Sequence, residues 1–327
     1  MKTLVTGGAG FIGSNLVRLL LEGGHTVAVL DNLVSGYRMN LKPFPEVELL
    51  VGDIRDVSMV DRAMRGVEVV FHLAASVGNT RSIEHPVIDA QTNVLGTLNI
   101  LEAARRHGAR KIVFSSSAGT FGELKTLPIK EDHCTEPDSP YGATKLCAEK
   151  LCLAYAKLYD LEAIALRYFN VFGVNQRFDA YGNVIPIFAH KLIFNQPITV
   201  FGDGEQTRDF INVRDVAAAN LMAGKNHGVS GAFNLGSGSR ITINELLRKM
   251  ERASGLRSPV TYGPPRKGDV RHSLADISAI GSAIGFRPQV DFDEGLMEYM
   301  EWAKIAFKAD CAFSSILDGL PSKPRSF

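Results

Sequence analysis

The chain has 327 residues, 45% of them hydrophobic and 22% charged, enough apolar material for one large or two medium globular domains. Lysine plus arginine number 36 against 35 aspartate plus glutamate, so no net field favours nucleic acid or an anionic membrane, and an anionic ligand has to be met by locally placed arginines. Cys134, Cys147, Cys152 and Cys311 lack C-x-x-C and metal-site spacing and read as reduced thiols with no metal, and no segment approaches ~18 uninterrupted apolar residues, so a cytoplasmic protein is expected.

In chain order, Lys2 to Thr6 reads as a short Leu/Val strand running into Gly7-Gly8-Ala9-Gly10-Phe11-Ile12-Gly13 and then a helix with Ile12, Leu16, Leu19 and Leu20 on one side. Gly7, Gly10 and Gly13 allow a tight turn, a close approach to a pyrophosphate and packing of the helix on the strand, while the helix N-terminus favours negative charge. The next strand, Thr26 to Leu30, ends in Asp31-Asn32. A carboxylate there can accept hydrogen bonds from both adenosine ribose hydroxyls and repels a 2′-phosphate, which points to NAD rather than NADP. The alternation continues with Val47 to Val51 before Asp53-Ile54, Val67 to Leu73 before Ala74-Ala75-Ser76, and Lys111 to Phe114 before Ser115-Ser116-Ser117. Such units imply an α/β fold, a doubly wound parallel sheet of Rossmann type, with small residues at the strand ends leaving room for a dinucleotide. Ile88 to His107 has apolar residues at helical spacing, with the polar Asn93 inside it.

The stretch Ser139-Pro140-Tyr141-Gly142-Ala143-Thr144-Lys145 puts a tyrosine and a lysine four residues apart at the start of a helix, on one side of it. A free phenol titrates near ~10, so a phenolate at neutral pH needs about 3 units of help, roughly 4 kcal/mol, from positive charge such as the lysine and an oxidised nicotinamide. An isolated Tyr-x-x-x-Lys is usually an ordinary amphipathic helix; the rest of the chain changes that reading. Further on, Leu161 to Leu166 reads as a strand, Val213 to Met222 as a helix and Ala232 to Leu235 as a strand.

The T-G-G-A-G-F-I-G-S opening, Asp31, Asp53-Ile54, His72-Leu73-Ala74-Ala75, Ser115-Ser116-Ser117 and S-P-Y-G-A-T-K together resemble the extended short-chain dehydrogenase/reductases, and among them the UDP-glucose and UDP-N-acetylglucosamine 4-epimerases, from the first strand to about Phe292. The resemblance implies that Ser117, Tyr141 and Lys145 are catalytic. Tyr141 would take the proton of the sugar 4-hydroxyl while hydride leaves C4 for NAD, Ser117 would hydrogen-bond that oxygen, and Lys145 would hold the nicotinamide ribose and lower the phenol pKa. It also implies that Phe11 and Ile12 meet the pyrophosphate, that Asp53 and Ile54 hold the adenine, and that Leu73, Ala74, Ala75, Ser76, Asn93, Ser115, Tyr168 and Phe169 line the nicotinamide half. For the substrate it implies Asn170 at the diphosphate, Asn183, Val184, Thr199, Val200 and Phe201 at the uridine, Arg208 and Arg266 at phosphate, and Asp269 at ribose. Ser273 stands where some epimerases have a bulky tyrosine closing the sugar pocket, and so leaves space for a 2-acetamido group. Phe121 departs from a tyrosine frequent in the family, at a position that is not catalytic.

By the same resemblance residues 1–168 with about 209–236 form the NAD-binding domain, 169–208 and 237–310 a smaller α/β substrate domain, and 311–327 a partly ordered tail. The expected assembly is a homodimer built from the Ile88 to His107 and Tyr141 to Asp160 helices, with Leu151, Leu153, Leu158 and Leu161 available to it. A 4,6-dehydratase would want Asp-Glu after the serine, where this chain has Ala118-Gly119, and a decarboxylase would want a glutamate in that loop. A UDP-glucuronate 4-epimerase is the alternative, because Arg177 lies where such enzymes carry a carboxylate-binding arginine, although Asn170 stands where they have threonine. A non-catalytic NAD-binding protein is disfavoured, since serine, tyrosine and lysine are all retained.

Overall fold

The computed structural model describes residues 1–179, 182–265 and 270–317, with side chains described as far as residue 310. Seven parallel strands make the central sheet: β1 (Lys2–Thr6), β2 (Thr26–Asp31), β3 (Glu48–Val51), β4 (Val69–His72), β5 (Lys111–Ser117), β6 (Glu162–Tyr168) and β7 (Gly231–Leu235), in the order β7-β6-β5-β4-β1-β2-β3. Side chains alternate across a strand, so a sheet covered on both faces needs two apolar sets. Val5, Val29, Phe71, Val113 and Ile164 point to one core, with Leu16, Leu20, Val216 and Ala219 from the helices Phe11–Glu22 and Val213–Lys225. Their neighbours Leu4, Leu30, Val70, Ile112 and Ala163 point to the other, under helices Thr97–His107 and Pro140–Leu158.

Strand order reverses between β1 and β4, and the crevice outside the carboxyl ends of strands flanking such a reversal is where an open α/β sheet binds a ligand. The two loops leaving those strands come very close. Gly7 has a φ of +71°, and a Cβ there would lie 2.8 Å from the Ala74 nitrogen, so both the turn and the approach demand glycine.

A third core, with Phe172, Phe188, Leu192, Val200, Leu246, Tyr299 and Met300, builds the smaller lobe around helices Val184–Ile193, Ile243–Ser254 and Phe292–Leu317. Short sheets join its pieces: Ile198–Phe201 pairs in parallel with Val260–Gly263, and Thr207–Arg208 antiparallel with Ile241–Thr242. Val213–Lys225 packs on the central sheet, and β7 joins it beside β6. One feature differs from the sequence reading. The Ile88 to His107 segment is not one regular helix, because a π turn at Gln91–Gly96 separates Pro86–Ala90 from Thr97–His107. The last helix runs from Phe292 to Leu317. Among the described residues no helix is long and apolar enough to cross a membrane.

Candidate active site

The helix Pro140–Leu158 starts where its sequence says it should. Ser139 is the N-cap, its Oγ accepting from the Gly142 nitrogen at 3.1 Å, and Pro140 takes the first helical position, where no N–H is needed. Gly142 lets this helix start press on the turn after β5, for a Cβ there would lie 2.4 Å from the Gly119 carbonyl oxygen. Ser117, the last residue of β5, is thereby brought beside Tyr141, and its Oγ accepts from the Gly119 nitrogen at 3.1 Å.

Tyr141 keeps part of its surface open to the cleft, yet burial pushes the phenol up to about 12. The Ser117 hydrogen bond works against that rise, and the charge of Asp89 adds to it. Lys145 is 2% exposed, with its Nζ 4.3 Å from the centre of the Phe114 ring; burial brings it down to about 8, opposed by Cys152, Asp89 and Glu149. Beside Lys145, His72 is fully buried between the hydroxyls of Thr6 (2.7 Å) and Thr97 (2.9 Å), and burial lowers it to about 3, a neutral ring.

The cofactor residues gather along the carboxyl ends of β1 to β4. Helix Phe11–Glu22 begins at Gly10 with no side-chain cap and no acidic residue in its first turn, so the N–H groups around Phe11, Ile12 and Gly13 face the cleft unclaimed by side chains, a fit for a pyrophosphate. Asp31 is buried, its two oxygens accepting from the Ala9 and Leu33 nitrogens at 2.9 and 2.8 Å, and burial raises its carboxyl pKa. Those bonds aim the carboxylate and leave lone pairs for a ribose diol. Asn32 donates to Asp53 at 3.0 Å, and Arg55 grips the same carboxylate through Nε and Nη2 at 2.9 and 2.8 Å, holding it down at about 2. Ile54 is buried, with its carbonyl taken by Asn99. On the nicotinamide side Ala74 donates to Thr6 Oγ1, and Asn93 clasps Ser76 with both ends of its amide, at 2.8 and 3.0 Å. Leu73 and Ala75 complete that turn, and Ser115 Oγ is tied to the His72 carbonyl at 3.1 Å. The donors, acceptors and glycine-lined approach fit NAD.

Tyr168 pairs with Ser117 across β5 and β6 but sends its hydroxyl to Asn220, and Phe169 packs with Phe121 and Ile129. The Phe121 ring lies under the Arg167 guanidinium at 4.8 Å, and is buried.

On the substrate side, Asn170 donates to the Asp209 carbonyl, and Asn183 and Val184 open helix Val184–Ile193 with no side-chain cap. Thr199, Val200 and Phe201 lie on the strand beside a cavity of about 440 Å³ lined by Phe201, Gly202, Asp203, Gln206, Pro265 and Arg271 among others. Arg208 lies on the strand Thr207–Arg208, two residues after the lining Gln206. Ser273 is buried, and its N–H donates to the Thr207 carbonyl at 3.1 Å, which ties its segment to the strand that carries Arg208. Arg266 and Asp269 lie outside the described residues.

Residues 3–236, more than half of the chain, match the NAD dependent epimerase/dehydratase family. The chain belongs to that family. Among curated relatives, the UDP-glucose 4-epimerase of Mycolicibacterium smegmatis is 39% identical over 307 residues, covering 92% of this chain and 98% of that one. Two solved structures superpose along the whole fold. One is a UDP-glucose 4-epimerase from Thermotoga maritima with UDP-glucose (TM-score 0.89, 38% identity, 94% of this chain and 100% of that one). The other is a UDP-N-acetylglucosamine 4-epimerase from Methanobrevibacter ruminantium with UDP-N-acetylmuramic acid (TM-score 0.89, 35% identity, 94% and 98%).

In this member of the family several groups at the site escaped the sequence reading. Asp203 and Arg271 form a two-pronged ion pair at 2.7 and 2.8 Å on the rim of the 440 Å³ cavity. Ser82 accepts from the Tyr141 nitrogen, and Asp89 from Thr144. Their partners are 68, 59 and 55 positions away, so no local spacing marks them. Arg177 is placed by an ion pair with Asp310 on the last helix and by the Tyr37 ring, 4.4 Å away. That engages the guanidinium which the glucuronate alternative would need.

Proposed function

We propose that the chain is an NAD-dependent epimerase that inverts C4 of a UDP-hexose through a 4-keto sugar, acting on both UDP-glucose and UDP-N-acetylglucosamine. The observation that carries the reading is the seating of Ser117, at the carboxyl end of β5, beside Tyr141 in the first turn of the helix that also buries Lys145. NAD, when bound, supplies the hydride acceptor and donor. Tyr141 takes the proton of the 4-hydroxyl and later returns it, and Ser117 hydrogen-bonds the same oxygen as its charge develops. Asp31 and Asp53 with Asn32 orient the adenosine end. The buried Lys145 holds the ribose beside the nicotinamide. Arg208, Asn170 and the helix start at Asn183 are the groups assigned to the UDP moiety, together with Arg266 and Asp269.

Two observations support a hexose over a uronate: the engagement of Arg177 with Asp310, and Asn170 in place of threonine. The small, buried Ser273 supports acceptance of the acetamido group. Equilibration of the protein with UDP-glucose, UDP-N-acetylglucosamine and UDP-glucuronate, read by separation of the products, tests the reading. Both hexoses should reach an equilibrium mixture and the uronate should remain unchanged, while Tyr141→Phe should turn over none of them. Ser273→Tyr should cut kcat/KM for the acetamido substrate by about 10- to 200-fold relative to UDP-glucose. Equal losses on both sugars would remove Ser273 from the pocket wall.

We also propose a homodimer. Val87 and Leu95, 67% and 54% exposed, form an apolar patch with Pro86 and Val94 along the segment assigned to the interface, and Leu158 stands 70% exposed at the end of the neighbouring helix. Leu161 is 3% exposed and belongs to the core. Light scattering at micromolar concentration should give twice the chain mass, and a monomer would remove this part of the proposal.

A further inference from the structure

Asp89, in the short helix Pro86–Ala90, is completely buried. Its Oδ2 accepts a 2.5 Å hydrogen bond from Thr144 Oγ1, and its Oδ1 is buried without a hydrogen-bond partner. Thr144 stands between Tyr141 and Lys145. Its hydroxyl also accepts from Asn93 Nδ2 at 3.1 Å and lies 3.0 Å from the Tyr141 carbonyl oxygen, and Asn93 in turn clasps Ser76. One hydroxyl therefore joins the nicotinamide-side turn, the first turn of the catalytic helix and a buried carboxylate.

The elements packed on Pro86–Ala90 are the catalytic helix, the π turn Gln91–Gly96 and helix Asn79–Glu84. From the catalytic helix the charge of Asp89 acts on Tyr141 and Lys145; Glu149 and Cys152 act on Lys145 from further along, and Cys147 and Lys150 are exposed. The π turn carries no titratable group. Helix Asn79–Glu84 brings Arg81, paired with Asp179 at 3.0 Å, and Glu84, which with the following His85 is exposed.

We propose that Asp89 is a positioning residue for the epimerisation, whose carboxylate fixes Thr144, and through it Tyr141 and Asn93, and whose negative charge keeps the phenolic proton on Tyr141 unless a cation stands in the nicotinamide site. The inference rests on the reading of Tyr141 as the base. A carboxylate near a phenol disfavours the phenolate, and the positive charge of an oxidised nicotinamide offsets it. After hydride has left the sugar that charge is gone, and Asp89 then favours retention of the proton that Tyr141 must return to the same oxygen.

Asp89→Asn in the NAD-loaded protein separates charge from geometry, because the amide oxygen can still accept from Thr144. Two quantities are measured: the ultraviolet titration of the Tyr141 phenol, as the difference from the matching Tyr141→Phe protein, and the pH profile of kcat for UDP-glucose. Loss of the negative charge should move both the titration midpoint and the acidic limb of kcat to lower pH, by on the order of 0.5 to 1 unit. Asp89→Ala, which removes charge and hydrogen bond together, should show the same shift with a larger fall in kcat, whereas Thr144→Val, which keeps the charge, should lose kcat without the downward shift. A wild-type midpoint in either folded Asp89 variant overturns the proposal. A protein that titrates as expected and yet epimerises no UDP-sugar overturns the epimerase reading and leaves the electrostatic role of Asp89 standing.

Discussion

A phenol at about 12 is in the wrong state to remove a proton at neutral pH, and the gap of about 5 units corresponds to roughly 7 kcal/mol. Burial widens a gap that a free phenol already has, and hydrogen bonding to Ser117 works to narrow it. Lys145 is held against the Phe114 ring, its Nζ 4.3 Å from the ring centre. Ser117→Ala should therefore do two things. It removes a hydrogen bond that favours the phenolate, which raises the phenol pKa and moves the acidic limb of kcat to higher pH, the opposite direction to Asp89→Asn. It also removes a hydrogen bond to the reacting oxygen, and kcat should fall by about 100-fold or more. A pH–rate profile measures both, and a limb that stays in place would show that Ser117 does not favour the phenolate.

At the level of elements, the catalytic helix is fixed at three points. Its start is capped by Ser139 and seated on Gly119, Thr144 is held by Asp89, and one turn past Lys145 the buried Glu149 accepts from Ser116 at 2.7 Å and from Arg167 at 2.9 and 2.8 Å. Ser116 precedes Ser117, so the same carboxylate locks the strand that carries Ser117 and the helix that carries Tyr141. Glu149→Gln keeps the shape but leaves Arg167 buried without its counter-charge, and should cost about 3 to 5 kcal/mol of stability in urea unfolding. A loss below about 1 kcal/mol would mean that Arg167 finds another partner. The first of these anchors could be read from the sequence, because Ser-Pro before a helix and a glycine at its first turn are local signals. The other two join residues 55 and 18 to 33 positions apart, and spacing says nothing about such pairs. The π turn was hidden for a related reason: one extra residue in a turn shifts the apolar stripe without removing it, so Ile88 to His107 still reads as helical.

Across the whole molecule the strand–helix alternation, the glycine turn and Asp31 were legible because each is a short-range demand of the backbone or of one ligand group. The contacts that seat the smaller lobe on the sheet were not. Asp209, buried in that junction, accepts from Ser237, Gly238 and Ala275, and Asp215 accepts from the Gln289 and Val290 nitrogens. Each carboxylate gathers N–H groups that sequence order separates widely, which is how a chain that leaves the nucleotide domain and returns to it can be closed.

The link between Arg177 and Asp310 is a third such closure, and it bears on two readings of one arginine. Arg177 also faces the Tyr37 ring and has its Nη2 2.9 Å from Met39 Sδ, so it joins the last helix to the segment that follows Asp31. That segment is fastened to the glycine turn, with Tyr37 N and Asn40 Nδ2 both donating to the Ala9 carbonyl at 2.9 Å. A strap in this place should act on cofactor retention and stability, and be indifferent to the sugar. Arg177→Ala should lower stability by about 1 to 2 kcal/mol, through lost packing and cation–π contact as much as lost charge, and should speed NAD release from the purified protein. Relative kcat/KM values for UDP-glucose and UDP-N-acetylglucosamine should stay within about twofold of each other's change, since a uniform effect on cofactor binding cannot discriminate between sugars. If Arg177→Ala instead leaves thermal unfolding and NAD release untouched while abolishing turnover of UDP-glucuronate alone, the guanidinium serves a substrate carboxylate and the ion pair with Asp310 is secondary.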